Sequence, residues 1–211
     1  MPGASPLPES PSKIICVGRN YAEHAKELGN EVPKEPLIFL KPPSSMIGDG
    51  DSIVLPPQSK QVEFEGEIGV LLGERLREGS ESQAARAVRA VLAANDVTAR
   101  DLQRSDGQWT RAKGFDTFCP IGEPGATLPP LDALTLVTRV NGEERQRARS
   151  VQMVFPIVVL LAYISRIMSL EPGDLVLTGT PAGVGPLRDG DVVEVEIEGV
   201  SSVTNPVRSA L

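Results

Sequence analysis

Val62-Glu63-Phe64-Glu65-Gly66-Glu67-Ile68-Gly69-Val70 alternates acidic or small residues with apolar ones at a period of two, the repeat of a β-strand rather than a helix. Phe64, Ile68, Val70 and Leu72 are predicted to face a core, with Glu63, Glu65 and Glu67 on the opposite side. Carboxylates two residues apart on one strand face lie roughly 7 Å apart at Cα, within reach of one hard cation that prefers oxygen ligands. The same pattern suits a solvated face of an antiparallel strand, and the segment alone leaves both readings open. Gly66 and Gly69 predict a bulge or a close approach of other backbone.

The rest of the chain sets bounds on that strand. Its 211 residues suit one domain with a substantial core. Twenty Gly and 19 Pro with 4% aromatics predict a turn-rich fold of many short strands. A formal charge of −7 argues against a nucleic-acid surface. Residues 1–12 open with three prolines in the first eight positions and carry no apolar run, so a loose tail is expected rather than a signal peptide. The most apolar window, 154–164, contains Pro156 and is too short to span a bilayer, so a buried helix and a cytoplasmic location are expected. Cys16 and Cys119 are expected to be buried thiols in a reducing compartment.

Strands are predicted over 13–17, 37–40 and 53–55, and a short helix from Asn20, capped with Glu23 and closed by Gly29. Residues 82–94 carry Ala84, Ala87, Val88, Val91 and Leu92 at helical spacing, which predicts an amphipathic surface helix ended by Asn95-Asp96. Residues 134–140 meet Asn141-Gly142, a strong hairpin signal. A buried helix over 155–169, a strand over 175–178 and a closing hairpin of 192–197 with 200–203 complete the pattern, giving three helices on or between sheets.

Several clusters have the composition of a site. His24 and Glu27 are three apart on the short helix, where a carboxylate can orient an imidazole as a general base, or both can sit on an exposed helix. His24 is the only histidine in the chain. Asp96 through Gln103 combines carboxylates, Arg100 and an amide; Asp96 is a possible third ligand beside Glu65 and Glu67, and a plain helix-end turn is the alternative. Lys113 follows Trp109 and precedes Gly114-Phe115-Asp116, as a catalytic or anion-binding amine or an ordinary exposed lysine. Thr178-Gly179-Thr180-Pro181-Ala182-Gly183-Val184-Gly185 offers amides and hydroxyls to a carboxylate, or is a simple turn. It lacks the lysine of a phosphate-binding loop.

In this order, Gly18-Arg19-Asn20-Tyr21-Ala22-Glu23-His24, Phe39-Leu40-Lys41-Pro42, Glu65-Gly66-Glu67, Asn95 through Asp101, Lys113 through Asp116 and Thr178-Gly179-Thr180-Pro181 resemble the fumarylacetoacetate hydrolase superfamily from about Lys13 onward. The compact length is similar to its acylpyruvase and oxaloacetate decarboxylase branch. The resemblance implies a mixed α+β, mostly β fold, a fumarylacetoacetase C-terminal-like β-sandwich roll with a few peripheral helices, over a single catalytic domain at 13–211. It implies a homodimer and a Mg2+ or Mn2+ site at Glu65, Glu67 and Asp96, with Glu63 outside the ligand set. It further implies His24 and Glu27 as the water-activating pair, Lys113 as a catalytic amine, and Arg100, Gln103 and Thr180 as substrate contacts. The reaction implied is cleavage of a carbon-carbon bond in a 3-acylpyruvate or oxaloacetate-like 2-oxo acid, by hydrolysis or decarboxylation. The alternatives are an isomerase or tautomerase of 2-hydroxy-dienoates and a non-catalytic divalent-ion or small-ligand binding module.

Overall fold

Residues 62–72 do form strand, but not one strand. In the computed structural model, which describes residues 10–27, 29 and 31–210, the run breaks at Glu65 into Val62–Phe64 (β5) and Gly66–Leu72 (β6). The two halves join different sheets. One sheet has the order Leu37–Lys41 (β2), Ile14–Gly18 (β1), Leu175–Leu177 (β12), β6, Val88–Asn95 (β7), with only β1 and β12 parallel. In the other, β5 lies between Gly185–Pro186 (β13) and Thr98–Ala99 (β8). Glu65 sits at the junction, its N–H donating to Asn95 Oδ1 at 3.0 Å and its C=O accepting from Asp96 N–H at 2.8 Å.

A second five-stranded sheet runs Glu143–Arg149 (β11), Thr135–Val140 (β10), Val192–Ile197 (β14), Ser201–Ser209 (β15), Ile53–Leu55 (β4). Met46–Ile47 (β3) pairs with Cys119–Pro120 (β9). Among the described residues the α-helices are Ala22–Glu27 (α1), Glu81–Ala87 (α2), Arg100–Ser105 (α3), Thr110–Lys113 (α4) and Ile157–Ile167 (α5), five rather than the three expected. The main core lies between the two large sheets and under α5, with Ile15, Ile68, Val70, Leu136, Leu160 and Val195 almost wholly buried.

Two local expectations are corrected. Residues 82–94 are not one surface helix: the capping box of Ser80 and Gln83 starts α2, which ends at Ala87, and β7 takes over at Val88. The antiparallel ladder with β6, from Gly66↔Asn95 to Leu72↔Val88, buries both faces of that segment and overrides its alanine-rich helical spacing. Asn20 does not cap α1 either. Its Nδ2 donates to Phe155 O and Thr178 O, and its Oδ1 accepts from Phe155 N–H, so it ties the end of β1 to the α5 approach. Gly29, at φ +69°, donates to Lys26 O as a helix stop should. The Asn141-Gly142 turn has both residues at positive φ, 53° and 79°, between β10 and β11. The return strand of the last hairpin, expected to stop near 203, continues to Ser209 and pairs in parallel with β4.

Gly66 and Gly69 mark close approach by side chains more than a bulge; the irregularity in β6 falls at Leu71/Leu72. A Cβ at Gly66 would lie 1.9 Å from Thr138 Oγ1. Of the expected tail, residues 1–9 lie outside the described residues, while Pro11 is buried and Ser12 donates to Asp174 at 2.6 Å. Among the described residues no helix is long and apolar enough to cross a membrane.

Candidate active site

The end of the antiparallel β6–β7 pair where β6 begins and β7 finishes holds the acidic centre. Register places Gly66 opposite Asn95 and Glu67 opposite Ala94, so Glu65 meets Asp96 just beyond the ladder, where its C=O accepts from the Asp96 N–H. Oxygens of Glu65, Glu67 and Asp96 all lie within 4.8 Å of one another. None is on a wet face: the three residues are 5%, 1% and 0% exposed. Burial of three like charges demands compensation, and three cations supply part of it. Lys41 Nζ donates to Asp96 at 2.7 Å and to Val97 O at 3.1 Å. Lys113 Nζ bridges Glu65 at 2.7 Å and Asp96 at 2.5 Å. Arg100 spans Glu63 through Nε at 2.8 Å and Glu65 through Nη2, and donates to Gln103 Oε1.

The charges are unevenly shared. Burial pushes the Glu65 carboxyl upward, but Lys113, Arg100 and His24 overcome it and hold the group well below the usual carboxylate range. Glu67 goes the other way: burial, then Asp96 and Glu65, raise it well above its ordinary value. It accepts a hydrogen bond from the Gly179 N–H at 2.6 Å. Lys113 loses from burial and gains more from Asp96 and Glu65, so it is held above the ordinary lysine range. Three hard oxygen donors converge on a point where one carboxylate, Glu67, has no ion pair among the described residues, and such a donor set matches the chemistry of a divalent-ion site.

The other half of the site is α1. His24 is 4% exposed and its Nδ1 meets Glu27 Oε2 at 3.2 Å. Glu27 is anchored by the Gly183 N–H, at 3.0 Å to one oxygen and 3.3 Å to the other. The glycine-rich segment therefore grips carboxylates of the chain itself, Gly179 holding Glu67 and Gly183 holding Glu27. Both glycines have φ near +100°, and a Cβ at Gly183 would lie 2.1 Å from Arg145 O.

A chamber of about 50 Å³ is lined by His24, Glu65, Glu67, Asp96, Arg100, Gln103, Lys113 and Thr180, so the structure brings together eight of the nine expected site residues. Glu27 stands behind His24. Thr180 is committed within the wall, donating to Gly66 O at 2.9 Å and accepting from Gln146 Nε2 at 2.8 Å. Lys41, Gln146 and the Glu63–Arg100 pair went unassigned in the sequence. Lys41 stood inside a recognised motif, but nothing local distinguishes Gln146 within its charged strand.

The strand-rich fold with a buried acidic triad opening on a chamber is that of an enzyme family, and the chain belongs to it: the family model described as fumarylacetoacetate (FAA) hydrolase C-terminal matches residues 13–208. The chain is 46% identical over 198 residues to the mitochondrial oxaloacetate tautomerase of Arabidopsis thaliana, covering 91% of this chain and 89% of that one. It is 43% identical over 201 residues to the mitochondrial oxaloacetate decarboxylase of Dictyostelium discoideum, covering 92% of each. The crystal structure of fumarylpyruvate hydrolase from Pseudomonas aeruginosa in complex with Mn2+ and pyruvate superposes with a TM-score of 0.88 at 30% identity, covering 99% of this chain and all of that one.

Proposed function

We propose that this chain is a divalent-metal-dependent enzyme that cleaves a carbon-carbon bond in a 3-acylpyruvate or oxaloacetate-like 2-oxo acid. Glu65, Glu67 and Asp96 would hold Mg2+ or Mn2+. When bound, that ion supplies Lewis acidity to the 2-oxo acid head of the substrate. The chain's own groups do the rest. With Glu27 accepting at Nδ1, the imidazole of His24 presents Nε2 as the proton acceptor for a water attacking the distal carbonyl. Lys113 has three N–H donors and commits two to Glu65 and Asp96, which leaves one for the oxyanion formed by that attack. Gln103 lends its carbonyl to Arg100, so its NH2 remains for the substrate carboxylate. Thr180 has spent its hydroxyl proton on Gly66 O, and contacts substrate through its lone pair or methyl group.

The observation that carries this reading is a buried histidine, paired with a carboxylate, in the same chamber as the acidic triad. A binding module has no use for that pair. A tautomerase reading is favoured by the named Arabidopsis relative, since proton transfer at carbon three uses the same chamber without an attacking water. Purified protein with added Mg2+ should be offered oxaloacetate, acylpyruvates and 2-hydroxy-dienoates, with products identified. Under our reading acylpyruvates yield pyruvate, and His24→Ala nearly abolishes that hydrolysis while sparing oxaloacetate decarboxylation. Equal loss or equal retention of the two activities refutes the role given to His24. Full activity in chelator refutes the metal requirement.

A further inference from the structure

Besides His24, the cationic side chains lining the chamber are Arg19, Arg100 and Lys113. Arg100 and Lys113 are committed to Glu63, Glu65 and Asp96. Arg19 is different: among the described residues its guanidinium has neither an ion-pair nor a hydrogen-bond partner. It is only half-buried. Its backbone stands at φ +58°, a left-handed conformation that a long L side chain rarely takes. Strain of this kind at a site calls for a functional account.

Position supplies one. Arg19, Phe39 and Trp109 line both the 50 Å³ chamber and a groove of about 890 Å³ outside it, so they form the neck between the two. Phe39 and Trp109 meet edge to face at 5.2 Å, which makes the rest of the neck apolar. The chamber has room for little more than a 2-oxo acid head, so the far end of any longer substrate passes Arg19. Charge agrees with position. Glu63, Glu65, Glu67 and Asp96 outnumber Lys41, Arg100 and Lys113 by one. A divalent cation turns that deficit into an excess of one positive charge, which a single substrate carboxylate cancels. A second substrate carboxylate then requires one more cation, and Arg19 is the free one.

We propose that Arg19 is the specificity-determining residue of this site, receiving the second carboxylate of a 2-oxo dicarboxylic acid at the neck of the chamber. This rests on the reading that the chamber takes 2-oxo acids. A guanidinium offers a carboxylate two parallel hydrogen bonds, whereas an acyl group without that charge meets only the aromatic wall.

The test compares wild type with Arg19→Asn, a residue that tolerates positive φ, and Arg19→Lys. Calorimetry with Mg2+ present would measure 2-oxoglutarate and 2-oxopentanoate, which are unreactive and differ in having a carboxylate or a methyl at the far end. Wild type should prefer 2-oxoglutarate, and Arg19→Asn should reduce that preference roughly 30-fold, the range of a charge-assisted hydrogen bond, with Arg19→Lys between. In turnover, Arg19→Asn should raise KM for an acylpyruvate ending in a carboxylate, such as fumarylpyruvate, far more than for acetylpyruvate, with kcat for fumarylpyruvate retained. An undiminished preference for 2-oxoglutarate, or equal weakening of both ligands, overturns the proposal. If wild type turns over neither acylpyruvate the parent reading of the reaction fails, while the calorimetric pair still decides the role of Arg19.

Discussion

Replacing Glu67 by Gln should stabilise the metal-free protein and destabilise it relative to wild type once a divalent ion is present. The carboxylates of Glu65 and Asp96 lie within 4.8 Å of that of Glu67. At such a separation each like-charge pair costs roughly 3–4 kcal/mol at an effective dielectric constant of 20. Lys113 offsets part of this, but it donates to Glu65 and Asp96 and not to Glu67. Gln keeps the volume and the acceptor for the Gly179 N–H while removing the charge. We therefore expect a gain of about 2 kcal/mol without metal, which for a chain of this size raises Tm by about 4–8 °C. With metal the order inverts. An ion at a hundred times its Kd contributes about 2.7 kcal/mol to wild type, and the variant forfeits most of that with its missing ligand. The assay is a pair of thermal melts, in chelator and in saturating Mg2+ or Mn2+. A variant less stable than wild type in chelator would show that Glu67 is not under repulsion. A variant with an undiminished metal-induced shift would show that it is not a ligand.

Two further expectations concern the frame around the site. Gly66→Ala would force a methyl to within 1.9 Å of Thr138 Oγ1 in a strand buried on both sides, so we expect a loss of about 2–4 kcal/mol, read by urea unfolding. Asp174 accepts from Ser12, Lys13 and the Glu171 N–H; burial opposes its ionisation, yet these bonds hold its carboxyl below the usual value. A depressed folded value contributes stability above the unfolded pKa near 3.9 and loses it as pH falls through the folded one. Asp174→Asn should therefore melt lower than wild type at pH 7, with the gap closing as the melts are moved toward pH 3.

Features governed by neighbours in the chain were legible in the sequence. Asn141-Gly142 could hardly be anything but a hairpin turn, because two consecutive positive φ values suit those residues. The period of two in the acidic run was equally plain. Its break at Glu65 was not, since the break is imposed by Asn95 and Asp96 from 30 residues away. Residues 88–94 read as helix because alanine spacing is a local signal, whereas the β6 ladder that makes them a strand is not. The same limit governs the site. Glu65, Glu67 and Asp96 announced themselves by residue type and family pattern. Lys41 gave no sign of burial, because its partner Asp96 lies 55 positions on, and Gln146 reaches Thr180 across 34. Arg19 stood in a recognised motif, and only the cavity walls show where it sits.

The segment from Gly179 to Gly183 holds a carboxylate of the acidic floor at one end and the partner of the histidine at the other. The floor is carried by strands buried on both faces, while the histidine rides on a helix of six residues whose Glu27 is held by the Gly183 amide. The two halves can thus diverge independently. Substitutions in α1 or its glycine anchor can remove, shift or replace the histidine and leave the acidic triad as it was. Within this chain the acidic floor and the histidine are thus two separately carried parts, joined only through the short segment between the two glycines.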